Sequence, residues 1–171
     1  MAAEGPTYRR ATEDDHDPIV RRIEDWAGGR PAARHLVPRL WFRHFTGTSW
    51  VADRGDGRPI GLAIAFISPD DRSTAVLHLV VVDPAHRRAG IGRELVTRCV
   101  ADAIEGGALK VRTTAWADDR PTIAFLETVG FRLLEGPGGQ KLYGMPARAD
   151  FDEPGDDRSE LELVVTSGMA R

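Results

Sequence analysis

The stretch that most constrains the fold is residues 78–96, HLVVVDPAHRRAGIGRELV. An apolar, β-branched run is followed by a basic turn that contains two glycines, and the turn opens a pattern with helical periodicity. Gly90 and Gly92 let the backbone approach a ligand closely because they have no Cβ. The first turn of the helix presents unpaired N–H groups and the positive end of its dipole. We therefore predict a strand–turn–helix unit that binds a phosphorylated ligand.

Fixed positive charge collects at the same turn. Arg87, Arg88 and Arg93 lie within seven residues, and the spacing Arg-x-x-Gly-x-Gly runs from Arg87 to Gly92. A Rossmann dinucleotide site fits less well, because the third glycine and an acidic residue about 20 positions further on in a βαβ unit are missing. The phosphate-binding loop of nucleotide hydrolases is excluded because the stretch has no Gly-Lys-Ser/Thr.

Composition limits the class of protein. A chain of 171 residues, 42% hydrophobic, has room for a full-sized core, so we predict a single domain over 1–171. The net charge of −3 and the scattered arginines outside 87–93 give no support for nucleic-acid binding. The lone Cys99 excludes an internal disulfide and is more often a packed residue than a nucleophile.

Two sequence features bear on the expected location. No apolar run approaches the roughly 20 residues that cross a bilayer, so no membrane partner is expected. The N-terminal Met-Ala-Ala-Glu-Gly-Pro has neither the basic start nor the apolar core of a signal peptide. The expected location is the cytoplasm.

Apolar periodicity predicts a mixed α/β fold, in which helices flank one mixed sheet. The predicted strands are 7–11, 48–53, 60–68, 74–82, 109–115, 131–134, 140–145 and 161–165. The predicted helices are about 12–26, 36–45, 91–105 and 121–129. The acidic stretch 146–160 predicts a solvated surface loop.

Two motifs resemble those of the GNAT superfamily of acyl-CoA-dependent N-acetyltransferases. Residues 87–92 match its motif A, Gln/Arg-x-x-Gly-x-Gly/Ala, between a central strand and a helix. Asp118–Phe131, DDRPTIAFLETVGF, resembles its motif B, which often reads Asn-x-x-Ala-x-x-x-Tyr-x-x-x-Gly-Phe. The two matches come in the family's order, and the strand and helix order agrees over roughly residues 7–145.

The resemblance implies a GNAT-like fold and acetyl-CoA, or another acyl-CoA, as cosubstrate. It implies that the backbone of the central strand receives the pantetheine arm at Val80, Val81 and Val82. It also implies that the turn holds the pyrophosphate. The residues of that turn are Arg87, Arg88, Ala89, Gly90, Ile91, Gly92 and Arg93.

Two departures of the chain from motif B concern residues that have a role in the family. Asp119 occupies the usual Asn position, which normally contacts the CoA arm. Leu126 occupies the usual Tyr position, often the acid that protonates the leaving thiolate, and leucine cannot donate a proton. Tyr143 is the candidate substitute, and departure of the thiolate without an acid is the other option.

Acetyl transfer to an amine needs the neutral amine, and an alkylamine with a pKa of about 10.4 is only about 0.04% neutral at pH 7. His78 is the candidate base, since histidine titrates near neutral pH and His78 shares a strand face with Val80 and Val82. The competing interpretations are a neutral histidine bonded within the sheet and a base acting through water elsewhere. A backbone N–H of the central strand, at Val80 or Val81, is the expected donor to the oxyanion.

Further residues are candidates for the acceptor site. Trp26 and Arg30 flank two glycines between the first helices, a region that lines the acceptor site in members of this superfamily. A mobile lid and a plain helix stop both fit them. The aromatic residues Trp41, Phe42 and Phe45 fit core positions or one wall of an acceptor pocket.

The remaining expectations concern metals, partners and activity. His16, His35, His44 and His86 show no metal-ligand spacing, so no metal is predicted. The resemblance implies an N-acetyltransferase that moves an acetyl group from acetyl-CoA to a primary amine of a small molecule or a peptide, through a ternary complex. The alternative is a non-catalytic acyl-CoA-binding or sensor module of the same fold. A homodimer is an open expectation.

Overall fold

The structure is a computed structural model that describes residues 5–166. The ends of the predicted domain, 1–4 and 167–171, lie outside the described residues. The helices are α1 (His16–Val20), α2 (Ile23–Trp26), α3 (Leu40–His44), α4 (Ile91–Glu105) and α5 (Arg120–Thr128). The strands are β1 (Thr7–Arg10), β2 (Trp50–Asp53), β3 (Pro59–Ile67), β4 (Thr74–Val82), β5 (Lys110–Trp116), β6 (Arg132–Leu133), β7 (Lys141–Leu142), β8 (Met145–Pro146) and β9 (Arg158–Val164).

The described residues cluster into two compact units. The first unit comprises residues 5–66 and 77–106, and the second comprises 67–76 and 107–166. β4 contributes to both units, and the strand order of the seven-stranded sheet is β1-β2-β3-β4-β5-β9-β6. The predicted mixed α/β class is confirmed. The single domain stays a prediction.

In the first unit, α4 packs directly on β3. Its buried residues Ile91, Leu95, Val96, Cys99 and Ala103 recur at helical spacing. Close approach requires Gly61, since a Cβ there would lie 3.0 Å from Leu95 Cδ1. β1 pairs antiparallel with β2, and β2 pairs antiparallel with β3.

In the second unit, β9 is the organising strand. It pairs antiparallel with β5 from Arg158 to Val164 and with β6 on its other side. β7 and β8 form a separate two-stranded hairpin. Leu161 and Leu163 of β9 are buried, which places part of this unit's core along the strand.

The predicted helix at 12–26 is wrong in its continuity. The chain forms a 3-10 turn at Glu13–Asp15, then α1, then α2, with a break at residues 21 and 22. Ile19, Ile23 and Trp26 are buried on either side of the break. Because the broken helix keeps helical spacing between its apolar residues, periodicity alone could not reveal the break.

The predicted helix at 36–45 is also wrong. A 3-10 turn occupies Pro31–Leu36, and α3 begins only at Leu40. Pro38 explains the difference, because a proline disfavours the helical conformation of the residue before it and lacks the N–H that would continue the ladder. Of the aromatic residues, Phe42 is in the core, whereas Trp41 and Phe45 are half-buried.

The predicted strand at 140–145 is a hairpin instead. β7 and β8 are joined by Tyr143 and Gly144, which adopt φ values of +54° and +78°. Two consecutive residues with positive φ are typical of the tightest hairpin turns.

The predicted surface loop 146–160 is too long at both ends, because Pro146 belongs to β8 and β9 begins at Arg158. Arg158 is only 6% exposed. Its Nε donates to Asp156 Oδ1 at 2.8 Å, and its guanidinium lies 4.3 Å from the ring centre of Trp116. β9 therefore begins with a buried, paired arginine, and the charged residues at its start made this part of the strand resemble a loop in the sequence.

Candidate functional site

The turn between β4 and α4 has the open backbone that an anion site needs. Gly90 precedes the first residue of α4 with φ of +79°, and a Cβ there would meet nothing within 4 Å. Arg88 also adopts a positive φ of +66°. The first intrahelical bond is donated by the Glu94 N–H to the Gly90 carbonyl, so the N–H groups before it point out of the helix end. The residues present therefore fit a pyrophosphate at this turn.

Asp83 shapes the start of this turn. It is 4% exposed, and its Oδ1 accepts a bond from the Ala85 N–H at 3.0 Å. Burial opposes its charge, but the Ala85 bond and the cation of Arg22 hold the pKa of Asp83 below its usual value. Arg22 forms an ion pair with Asp83 Oδ2.

The side chain of Arg87 is directed to two backbone carbonyls. Its Nε donates to the Val82 carbonyl at 3.1 Å, and its Nη2 donates to the Trp26 carbonyl at 2.6 Å. Sequence reasoning assigned Arg87 to the cofactor, and no signal in the sequence links it to Trp26. The cofactor role of Arg87 stays a prediction.

β4 carries the candidate base and the expected pantetheine positions. Burial alternates along it, so that His78, Val80 and Val82 are half-buried while Leu79 and Val81 are buried. This alternation confirms that His78, Val80 and Val82 share one face. Whether Val80–Val82 receive a pantetheine arm stays a prediction.

His78 is held on two sides within the first unit. Its Nε2 lies 2.7 Å from the Leu36 carbonyl oxygen, and its ring stacks on Trp41 with centroids 4.4 Å apart and an interplanar angle of 28°. Because a carbonyl can only accept, Nε2 carries the proton, and in the neutral ring Nδ1 carries the lone pair. The competing interpretation of a histidine bonded within the sheet does not describe this contact, since Leu36 lies in the turn before α3.

The wall beside His78 is aromatic. Trp41 lies 4.5 Å from Phe45 and 5.5 Å from Phe66, measured between ring centroids. Phe45 also meets Phe66 edge-on at 5.8 Å. Sequence reasoning left Trp41 and Phe45 open between core and pocket wall. Both rings are half-buried beside the half-buried His78, and whether they form one wall of an acceptor pocket stays a prediction.

The segment from Trp26 to Arg30 begins in the core and ends near the surface. Trp26 is 2% exposed, and its indole Nε1 is buried without a hydrogen-bond partner. Gly28 and Gly29 follow with φ of +73° and +80° and with open space at both Cβ positions. Arg30 is half-buried and precedes the 3-10 turn that ends at Leu36. The lid and acceptor roles of Trp26 and Arg30 stay predictions.

The candidates from motif B lie in the second unit. Asp119 caps α5, since its Oδ1 accepts from the Thr122 N–H at 3.1 Å and its Oδ2 from the Thr122 hydroxyl at 2.8 Å. Leu126 is 1% exposed and fills the core side of α5. The cofactor role of Asp119 stays a prediction.

Tyr143 sits at the tip of the β7–β8 hairpin and is 59% exposed. Its hydroxyl donates to Asp157 Oδ2 at 3.1 Å, and its carbonyl accepts from Arg120 Nη2 at 2.7 Å. These contacts explain how a tyrosine is held at positive φ. They do not support an acid role, which stays a prediction.

No group of three or more His, Cys, Asp or Glu side chains could hold a metal ion within residues 5–166. None of the helices there combines the length and hydropathy that a bilayer crossing requires.

Most of the chain matches a known protein family. A profile of the Acetyltransferase (GNAT) family matches residues 9–131. The chain belongs to this family.

Two curated relatives are diaminobutyrate acetyltransferases. An L-2,4-diaminobutyric acid acetyltransferase from Nocardia farcinica is 32% identical over 117 residues, 68% of this chain and 60% of the relative. The enzyme of the same name from Streptomyces anulatus is 36% identical over 81 residues, 47% of this chain and 46% of the relative. The matched region thus spans less than two thirds of either relative.

Solved structures show the fold. Ard1 from Thermoplasma volcanium aligns with a TM-score of 0.75 at 19% identity, over 95% of this chain and 99% of that one. Diaminobutyrate acetyltransferase from Paenibacillus lautus, in complex with L-2,4-diaminobutyric acid and coenzyme A, aligns with a TM-score of 0.71 at 19% identity. That alignment covers 94% of this chain and 95% of the other.

Proposed function

We propose that this chain is an N-acetyltransferase that moves an acetyl group from acetyl-CoA to the primary amine of a small molecule. One observation carries the proposal. His78 is held by the Leu36 carbonyl and the Trp41 ring, and it lies on the strand that leads into the open turn at Gly90. Family membership supports the reaction class. The diaminobutyrate acetyltransferases among its relatives support a small amino compound as acceptor over a peptide.

Backbone groups of the chain bind the cosubstrate and the oxyanion. Acetyl-CoA supplies the acetyl group as a thioester. The turn at 88–93 holds the pyrophosphate with backbone N–H groups and the positive end of α4. The Val80 or Val81 N–H is the donor for the oxyanion.

His78 takes the proton from the acceptor ammonium. The Leu36 carbonyl fixes the proton on Nε2, so Nδ1 is the atom that accepts. Trp41 holds the ring plane by stacking. A positioned base of this kind contributes about 10²–10⁴ in rate.

The proposal is tested by measuring CoA binding and thiol release separately. Wild-type protein is expected to bind CoA in calorimetry and to release free thiol from acetyl-CoA with L-2,4-diaminobutyrate or another small diamine. His78→Ala is expected to lower turnover at least about tenfold with CoA affinity unchanged. The matched control is His44→Ala, because His44 is exposed at the end of α3.

The outcomes distinguish the candidate functions. Thiol release that survives in His78→Ala would remove His78 from the mechanism. CoA binding without turnover on a broad panel of amines would favour the acyl-CoA-binding module, and no CoA binding would overturn both.

A further inference from the structure

Arg87 joins two segments of the first unit, one of which it reaches at Trp26, 61 residues earlier in the sequence. Its Nε donates to the carbonyl of Val82, the last residue of β4. Its Nη2 donates to the carbonyl of Trp26, the last residue of α2. One planar guanidinium thus bridges the end of the central strand and the start of the segment 26–30, a contact we call the Arg87 bridge.

An ion pair forms a second link between the same two segments. Arg22, just before α2, pairs with Asp83, just after β4. The guanidinium of Arg22 also lies 5.3 Å from the ring centre of Trp26. The two contacts together fix α2 against the end of β4, and only the Arg87 bridge reaches the last carbonyl of the helix.

The Arg87 bridge bonds the backbone carbonyl of Trp26 to a group outside α2. The indole N–H of Trp26 is buried without a hydrogen-bond partner, so the side chain is held by packing and by the Arg22 guanidinium over its ring. Its backbone N–H bonds back into the helix, to the Arg22 carbonyl at 3.0 Å. The next residues include Gly28 and Gly29, which have open space around them and offer little resistance to movement.

We propose that Arg87 is a positioning residue that fixes the segment 26–30 against the end of β4, and that it is not a ligand of the CoA pyrophosphate. A guanidinium is suited to this role because its fork presents several donors in one plane. Lysine offers a point charge and cannot reproduce the planar bridge. That segment 26–30 lines the acceptor site rests on the proposed function. The Arg87 bridge itself does not, because it is present in the protein without ligand.

The first test is amide hydrogen exchange on the free protein. In Arg87→Gln and Arg87→Lys, the amides of residues 26–29 are expected to exchange at least fivefold faster than in wild type. Protection across α5 serves as the internal reference for global stability. Arg88→Gln is the matched control, since it removes the same charge from the neighbouring, exposed position and leaves the bridge intact.

The second test is the dissociation constant of CoA by calorimetry. Both Arg87 variants are expected to stay within twofold of wild type, while Arg88→Gln weakens binding several-fold. With an amine that is turned over, the Arg87 variants are expected to raise the acceptor KM at least fivefold.

The opposite pattern would overturn the proposal. If Arg87→Gln weakens CoA as much as Arg88→Gln and leaves exchange at 26–29 unchanged, Arg87 is a pyrophosphate ligand. If wild-type protein binds no CoA, the proposed function fails, and hydrogen exchange still decides whether Arg87 positions the segment.

Discussion

We predict that replacing Arg9 by methionine lowers the free energy of unfolding, because Arg9 holds the first unit together at the edge strand β1. Arg9 donates to Asp15 Oδ2 at 2.8 Å and Oδ1 at 2.7 Å, and to Asp53 Oδ2 at 2.9 Å. Asp15 and Asp53 are 4% and 3% exposed. One arginine therefore pairs with two buried carboxylates and ties the turn before α1 to β2.

The expected loss of unfolding free energy follows from leaving both carboxylates without the Arg9 cation. Removing one partner of a buried ion pair costs about 3–5 kcal/mol, and the 35% exposure of the Arg9 side chain places this case near 3 kcal/mol. Asp15 keeps bonds from Thr12, and Asp53 keeps bonds from Thr7 and Gly55. For a chain of this length, about 3 kcal/mol lowers Tm by about 6–12 °C.

The loss should also depend on pH. Burial opposes the charge of both carboxyls, but hydrogen bonds from Arg9 and neighbouring donors hold the pKa of Asp15 and Asp53 below their usual values. Their stabilisation is therefore complete above the unfolded pKa of about 3.9 and is lost as the pH falls through the folded pKa. In Arg9→Met, protonation relieves the buried charges, so the gap to wild type narrows as the pH falls from 7 towards 4.

Urea unfolding followed by circular dichroism at pH 7, 5.5 and 4.5 measures this gap. The control is Arg54→Met, at an exposed turn position next to Asp53, which should change stability by less than about 0.5 kcal/mol. A gap below 1 kcal/mol at pH 7, or one that stays constant with pH, would refute the reasoning.

Two further predictions concern the turn and helix α4. Gly90→Ala puts a side chain at φ of +79°, so it should destabilise the fold by about 1–2 kcal/mol and weaken CoA binding in calorimetry. Gly47→Ala, at ordinary φ and with equally open space, should change neither, and equal behaviour of the two variants would contradict the reasoning. Burial, helped by the charge of Asp102, raises the pKa of Cys99 to about 12, so a thiol reagent at pH 8 should label the native protein at least about 100-fold more slowly than the unfolded chain. Stoichiometric labelling of native protein within minutes would show that Cys99 is accessible.

The sequence predicted best where one local signal controlled the outcome. The strand expected at 74–82 and the helix expected at 91–105 match β4 and α4. A continuous apolar run and a helical pattern bounded by glycines, Gly90 and Gly106, leave few alternatives there. The helix expected at 36–45 is interrupted by Pro38, and the helix expected at 12–26 is broken at residues 21 and 22; the apolar spacing reveals neither interruption.

The candidate site was predictable in its residues more than in its contacts. His78 and the turn at 88–93 could be identified from strand position and motif. The partner that orients His78 is the carbonyl of Leu36, 42 residues away. Every residue has a backbone carbonyl, so the sequence gives no sign of which one bonds to His78. The Trp26 carbonyl that binds Arg87 was hidden for the same reason.

The burial of Leu126 bears on how the leaving group departs. At 1% exposure this side chain belongs to the core of the second unit, and a tyrosine there would enlarge a packed position. Leu126 therefore serves packing in this chain. A thiol has a pKa of about 8.5, about two units below that of an alkylamine, so a thiolate is stable enough at neutral pH to leave without a proton. In the proposed mechanism, the proton transfer that needs a catalyst is then the removal of a proton from the amine, which we assign to His78. The lack of an acid at position 126 does not count against that mechanism.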